Sequence, residues 1–169
     1  TYLHLAALKG DKALFDTYKL RFEKGKTPNE RRRFLEALGW FRSDSQAPKA
    51  LAYALSGPMR PQELLTIPRI MAEAPDLQDD VYQWFTTNYA TITQRMPEQF
   101  TVYLPWFANG CSAKRLQAAT TFFDDPRRRT VGTEKELARM TDQVNDCVSL
   151  RTRESKAVAD YLNGSLGKK

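Results

Sequence analysis

The sequence predicts an all-α fold, an α-solenoid of about eight or nine antiparallel helices that treats residues 1–169 as a single helical domain. Three observations lead there. Apolar residues recur at three- and four-residue steps in almost every segment, the pattern of one buried helix face. Glycine, proline and capping residues punctuate those segments at short intervals, as helix starts and stops require. No stretch alternates apolar and polar residues between hairpin turns, as strands would. No strict sequence period is present, so any repeats are degenerate. A compact helical bundle is the alternative packing of the same elements.

The first element, Asp11 to about Lys24, places Leu14, Phe15, Tyr18 and Phe22 on one face and stops at Gly25. Thr27-Pro28-Asn29-Glu30 is a capping box with proline at the first helical position, and its helix presents Phe34, Leu35, Leu38 and Phe41. Ala47 to Leu55 closes at Ser56-Gly57-Pro58, and Gln62 to Ala74 is helical with a kink or split at Pro68. Val81, Trp84, Phe85, Tyr89, Ile92 and Met96 form one stripe on a long helix that ends at Pro97. Phe100 to Ala108 is a short helix ended by Asn109-Gly110, and Ser112 caps the next, which runs to Phe123. Residues 124–132 read as a loop. Thr133 then caps a long final helix whose inner side carries Leu137, Met140, Val144, Cys147, Val148, Val158, Tyr161 and Leu162.

Composition is that of an ordinary globular chain, with 41% hydrophobic and 27% charged residues among 169. No apolar run approaches a membrane span. The opening Thr1-Tyr-Leu-His-Leu-Ala-Ala-Leu-Lys9 lacks the basic leader and apolar core of a signal peptide. It starts inside helical sequence without a methionine, which suits a piece of something longer. The net charge of +6 permits an anionic partner but requires clustering before it points to one. Cys111 and Cys147 cannot define a disulfide framework; two buried free thiols are expected rather than a pair, and the compartment stays undecided.

Catalytic chemistry is absent from the pattern. His4 is the one histidine, so neither a zinc motif of the H-E-x-x-H kind nor a histidine-based triad has its parts. Among Leu3, Leu5 and Leu8 it reads as a packing residue. His4, Cys111 and Cys147 have no metal-ligand spacing. The glycines stand singly at helix ends, with no phosphate-binding loop, and Asp79-Asp80 and Asp124-Asp125 suit helix starts and turns. The sequence therefore assigns no catalytic and no metal-binding residue and predicts an inactive chain when isolated.

Two arginine triplets remain, Arg31-Arg32-Arg33 and Arg127-Arg128-Arg129. At 100° per residue, Arg31 falls beside the Phe34–Leu35–Leu38 stripe while Arg32 and Arg33 point away from it. A guanidinium there must find a carboxylate or open into a wet groove, because unpaired burial is costly. The spacing of Arg32 and Glu36 suits a surface pair. The second triplet lacks the interleaved aromatics that stack on bases, so nucleic acid is an unlikely partner. Asn163-Gly-Ser165 matches a glycosylation sequon, which matters only in a secreted chain.

Several motifs together resemble one family. They are Thr27-Pro28-x-Glu30-Arg31 leading to Leu35-x-Ala37-Leu38-Gly39, then Leu55-Ser56-Gly57-x-x-Arg60-x-Gln62, then Trp84-Phe85-x-x-Asn88-Tyr89-x-x-Ile92-x-x-Arg95-x-Pro97, then Phe122-Phe123, and finally Val158-Ala-Asp-Tyr161-Leu162. In this order they resemble the C-terminal helical domain of the aminopeptidase N-type zinc metallopeptidases, the group that includes the endoplasmic reticulum aminopeptidases. Glu63 departs from the aspartate usual after the glutamine, and Leu150 stands where tryptophan is common.

The resemblance implies a HEAT- or armadillo-like helical bowl at the C-terminus of a larger zinc aminopeptidase. Such a bowl closes the substrate chamber over a separate catalytic domain and contacts the distal part of the peptide. It also implies that zinc belongs to the missing catalytic domain, with no cofactor in this chain. The partners it implies are the N-terminal and catalytic domains of the same polypeptide and the peptide substrate. Arginine suits a peptide carboxylate because it binds bidentately, so Arg31, and next Arg60, are the expected substrate-binding residues. The competing reading is a free-standing helical-repeat interaction module without an enzyme. Exposed apolar strips on the first and last helices would favour the enzyme-domain reading, and polar capping helices the scaffold.

Overall fold

A computed structural model describes residues 2–166 of the chain. Among the described residues the fold is all-helical: ten α-helices, two 3₁₀ turns and no strand. The chain divides into two compact units, the first ending at Thr101 and the second starting at Val102.

The first unit holds α1 (Tyr2–Leu8), α2 (Lys12–Lys24), α3 (Pro28–Leu38), α4 (Ala47–Ser56), α5 (Thr66–Met71), α6 (Gln78–Thr87), α7 (Tyr89–Arg95) and α8 (Glu98–Thr101). Side-chain caps set the starts, the one at Thr27 as the sequence predicts. Asp11 accepts from the Leu14 amide at 2.9 Å. Thr27 Oγ1 accepts from the Glu30 amide at 3.1 Å while Glu30 reaches back to the Lys26 amide, satisfying donors that a helix start leaves open. The turn between α2 and α3 folds them into a hairpin, and α1 and α5 pack on α3, α4 on α5, and α5 on α6.

Aromatic edges fill the centre: Phe15 meets Phe41 at 5.1 Å, Tyr18 meets Phe34 at 5.4 Å, and Phe22 meets Tyr53 at 6.3 Å. These offset contacts add stability beyond the area they bury. Leu35, Leu38, Ile67, Met71, Phe85 and Ile92 complete this core.

Two boundaries differ from expectation. The long helix expected through Trp84 is interrupted at Asn88, between α6 and α7. Asn88 Nδ2 donates to the Trp84 carbonyl at 2.7 Å, a side-chain bond that competes with the helical ladder. Pro68 neither kinks nor splits a helix, because α5 begins only at Thr66. That places Pro68 in the first turn, where a missing amide costs nothing.

The second unit comprises a 3₁₀ turn (Leu104–Ala108), α9 (Ala113–Phe123), a second 3₁₀ turn (Pro126–Arg128) and α10 (Thr133–Leu166). Ser112 caps α9 through the Arg115 amide at 3.2 Å. Leu104, Phe107, Phe123, Met140 and Val144 are its buried centre.

Two expectations are corrected in this unit. Cys111 and Cys147 are not free thiols but a disulfide, with Cα atoms 5.2 Å apart, inside the range such a bond requires. Val158, Tyr161 and Leu162 do not lie on an inner side: all three are exposed. Burial along α10 ends at Val144, and no described segment covers the helix beyond Val148.

Candidate functional site

Arg31 lies in the first turns of α3, and its side chain turns back across the end of α2. Nη1 donates to the Phe22 carbonyl at 3.0 Å, and the guanidinium rests 4.3 Å from the centre of the Phe22 ring. Nη2 donates to Glu63 Oε2 at 3.3 Å. Both charged side chains are mostly covered, with exposures of 15% and 16%. Gly25 leaves room for this arrangement, since a Cβ there would sit 2.8 Å from Arg31 Cγ. Of the two outcomes the sequence left open for Arg31, a carboxylate partner or a wet groove, the structure shows the first: the partner is Glu63, in the turn preceding α5.

Arg60 meets the same carboxylate by a different route: its backbone amide donates to Glu63 Oε2 at 3.0 Å. Its side chain is exposed, and the guanidinium has no partner among the described residues. The two arginines expected to serve as one site thus converge on Glu63 Oε2. One guanidinium is committed to the fold and the other is available.

The other arginines show where much of the positive charge goes. Arg42 donates to the Ile70 and Met71 carbonyls at 3.4 Å each, closing the end of α5, and burial lowers its pKa against the pull of Asp76 and Glu73. Arg95 donates to the Leu55 carbonyl at the end of α4. Arg128 reaches the Phe122 carbonyl at 3.1 Å and stacks 4.0 Å from that ring, and Arg129 donates to the Phe123 carbonyl. The final carbonyls of α2, α4, α5 and α9 are therefore each held by a guanidinium, a favourable match to unpaired acceptors and to the helix dipole. Acidic neighbours balance the second triplet further. Arg127 pairs with Asp125 at 2.8 Å, and Arg129 pairs with Asp124 at 2.9 Å and Glu134 at 3.0 Å. Arg32 and Glu36 stand 3.9 Å apart on the surface.

Two concavities flank these joints in the first unit. One, of about 480 Å³, is chiefly apolar, with Pro48, Leu51, Leu77, Val81 and Trp84 in its walls and Asp80 at its edge. The other, of about 430 Å³, has a mixed lining, with Trp40, Leu65 and Ile70 beside Glu36, Glu73 and Arg69. His4 stacks on Trp40 there, ring centres 5.2 Å apart and nearly parallel, and burial lowers its pKa. Among the described residues no group of three or more His, Cys, Asp or Glu side chains is placed to hold a metal ion.

Two exposed apolar faces complete the picture. On α1, Tyr2 is 92% exposed and Leu5 and Leu8 share its side. On α10, Tyr161 is 74% exposed beside Val158 and Leu162. No helix among the described residues is long and apolar enough to cross a membrane.

The family model of the ERAP1-like C-terminal domain matches residues 1–146. The chain belongs to that family. The ERAP1-like domain matched here is a C-terminal domain of an aminopeptidase, and as such part of a larger aminopeptidase polypeptide. No curated protein matches the chain. Glu63 is the residue of this ERAP1-like domain that sequence reasoning did not place. Its one signal was the half-apolar position of Arg31, which called for either a carboxylate or a wet groove and named no partner.

Proposed function

We propose that this ERAP1-like domain closes the substrate chamber of a zinc aminopeptidase and contacts the distal part of the peptide. The observation carrying the reading is the pair of uncovered apolar faces on α1 and α10. Contiguous exposed apolar surface marks an interaction site, and at the first and last helices of a helical array it marks a contact with further chain rather than a polar cap. The partners are then the N-terminal and catalytic domains of the same polypeptide. Zinc and the bond-breaking chemistry belong to the catalytic domain, and movement between the parts would admit peptide and exclude water. A free-standing scaffold would show the opposite, polar end helices.

Within this reading Arg60 is the stronger candidate for the peptide's terminal carboxylate, because its guanidinium is exposed and uncommitted. Arg31 could take that role only by leaving Glu63. The test uses the full aminopeptidase with peptides that end in a free acid or an amide. Arg60→Ala should raise KM for free-acid peptides about tenfold, the loss of one charge-assisted contact, and leave amidated peptides unaffected. Equal effects on both would refute the assignment.

A further inference from the structure

We propose that the apolar concavity between α4 and α6 binds a small organic cation, an ammonium carried on an aromatic or aliphatic body, with Asp80 receiving the charge and Trp84 the body. The space, about 480 Å³, falls within the roughly 300–1,000 Å³ of small-ligand sites, which are mostly apolar with a few placed polar groups. Leu51, Met71 and Val81 form buried parts of its wall. Trp84 is half-buried and Asp80 is exposed.

Charge decides which ligands this space accepts. Of the described residues that line it, Asp80 alone is charged, in a chain of net charge +6. Several other carboxylates are taken up by arginines: Glu63 by Arg31, Asp124 by Arg129, Asp125 by Arg127 and Glu136 by Arg139. Asp80 has no such partner among the described residues. Lys49, next to Pro48 in the chain, acts instead on the Asp16 carboxylate of α2. Helix-dipole complementarity at the start of α6 is already met by Asp79 in the same turn. An anion entering the space would meet a like charge with no cation to offset it. An ammonium would gain an ion pair beside apolar walls, where charges are screened less than in open water.

Spacing on α6 supplies the second half of the site. Asp80 and Trp84 are four residues apart, so they share a helix face and lie about 6 Å apart along the helix axis. That separation suits the ammonium and ring of an arylethylamine. The Trp84 ring stacks on no other ring among the described residues, and its Nε1–H has no acceptor there. An indole face left free in this way attracts cations and apolar bodies alike. This binding is separate from chamber closure, and either could fail without the other.

The test uses the complete polypeptide labelled with fluorotryptophan, in which the fluorine NMR signal missing from Trp84→Phe belongs to Trp84. Phenethylamine should shift that signal and half-saturate at a concentration about tenfold below that of phenylpropionate, a ligand with the same ring and the opposite charge. Asp80→Asn, at an exposed position that the fold does not depend on, should weaken phenethylamine about fivefold and bring the two ligands together. Should that variant fail to fold, the comparison of the two ligands in the unaltered protein still decides. An unmoved Trp84 signal, equal half-saturation by amine and acid, or a preference for the amine that survives Asp80→Asn would overturn the site.

Discussion

Replacing Arg31 with alanine removes three things at once: a charge-assisted hydrogen bond to the Phe22 carbonyl at 3.0 Å, a guanidinium 4.3 Å from the Phe22 ring, and an ion pair to Glu63 at 3.3 Å. A hydrogen bond from a charged donor contributes roughly 1.5–3 kcal/mol. The ring contact, partly desolvated, contributes about 1 kcal/mol. The ion pair contributes about 1 kcal/mol, since solvent still screens it. These overlap because one group makes them all, so the expected loss is about 3 kcal/mol rather than their sum. Urea unfolding followed by tryptophan fluorescence measures it through Trp40 and Trp84, both in the first unit. With a slope near 1–1.5 kcal/mol/M for a unit of this size, the midpoint should fall by about 2–3 M.

A double-mutant cycle with Glu63→Gln isolates the pair, because glutamine keeps an oxygen for the Arg60 amide and removes the charge. Coupling of about 1 kcal/mol is expected. A loss below about 1 kcal/mol for Arg31→Ala, with no coupling to Glu63, would refute the clamp. Arg31 would then be free to leave Glu63 for a peptide carboxylate at little cost, and it would regain equal standing with Arg60.

Gly39→Ala should destabilise by about 1–3 kcal/mol in the same unfolding assay, because its Cβ would fall 2.8 Å from Ile70 Cβ and 3.1 Å from the Ile67 carbonyl; its helical φ and ψ make the effect steric. Gly164→Ala, with nothing near it, should be neutral or gain a few tenths of a kcal/mol in helicity. Asp125 has its pKa lowered to about 2, first by the Arg127 side chain and next by the Arg127 amide. A lowered folded-state value means its stabilising effect is present above the ordinary carboxylate range and is lost as pH falls toward about 2. Carboxyl NMR titration should find that midpoint, and Arg127→Ala should move it up toward 3.8.

Local grammar was legible. The Thr27 and Ser112 caps arise from residue type and three-residue spacing, and each forms the bond its position predicts. The family was legible too, since several short patterns in a fixed order constrain far more than any one of them; the first four lie within the matched residues 1–146 and the Val158–Leu162 pattern lies beyond them. Partners distant along the chain were not. Arg31 and Glu63 are 32 residues apart and the cysteines 36, and nothing in either neighbourhood encodes which turn will arrive beside which helix. The apolar residues late in α10 illustrate a different limit. Periodicity shows that Val158, Tyr161 and Leu162 share a face, but it does not say whether the surface that meets them lies within these 169 residues. Asn88 falls between the two cases: periodicity carries one stripe straight through it, whereas the interruption there accompanies a side-chain bond to the Trp84 carbonyl that depends on a rotamer.

The length of α10 past its disulfide makes that helix a lever. From Val148 to Leu166 it runs 19 residues, about 28 Å at 1.5 Å per residue. Pivoting by about 10° at Cys147 would carry its tip roughly 5 Å, whereas a gap of about 1 Å already forfeits much of a van der Waals contact. A disturbance too small to repack the second unit's core is therefore large enough, at the far end, to seat or unseat Tyr161 and Leu162 against whatever surface receives them.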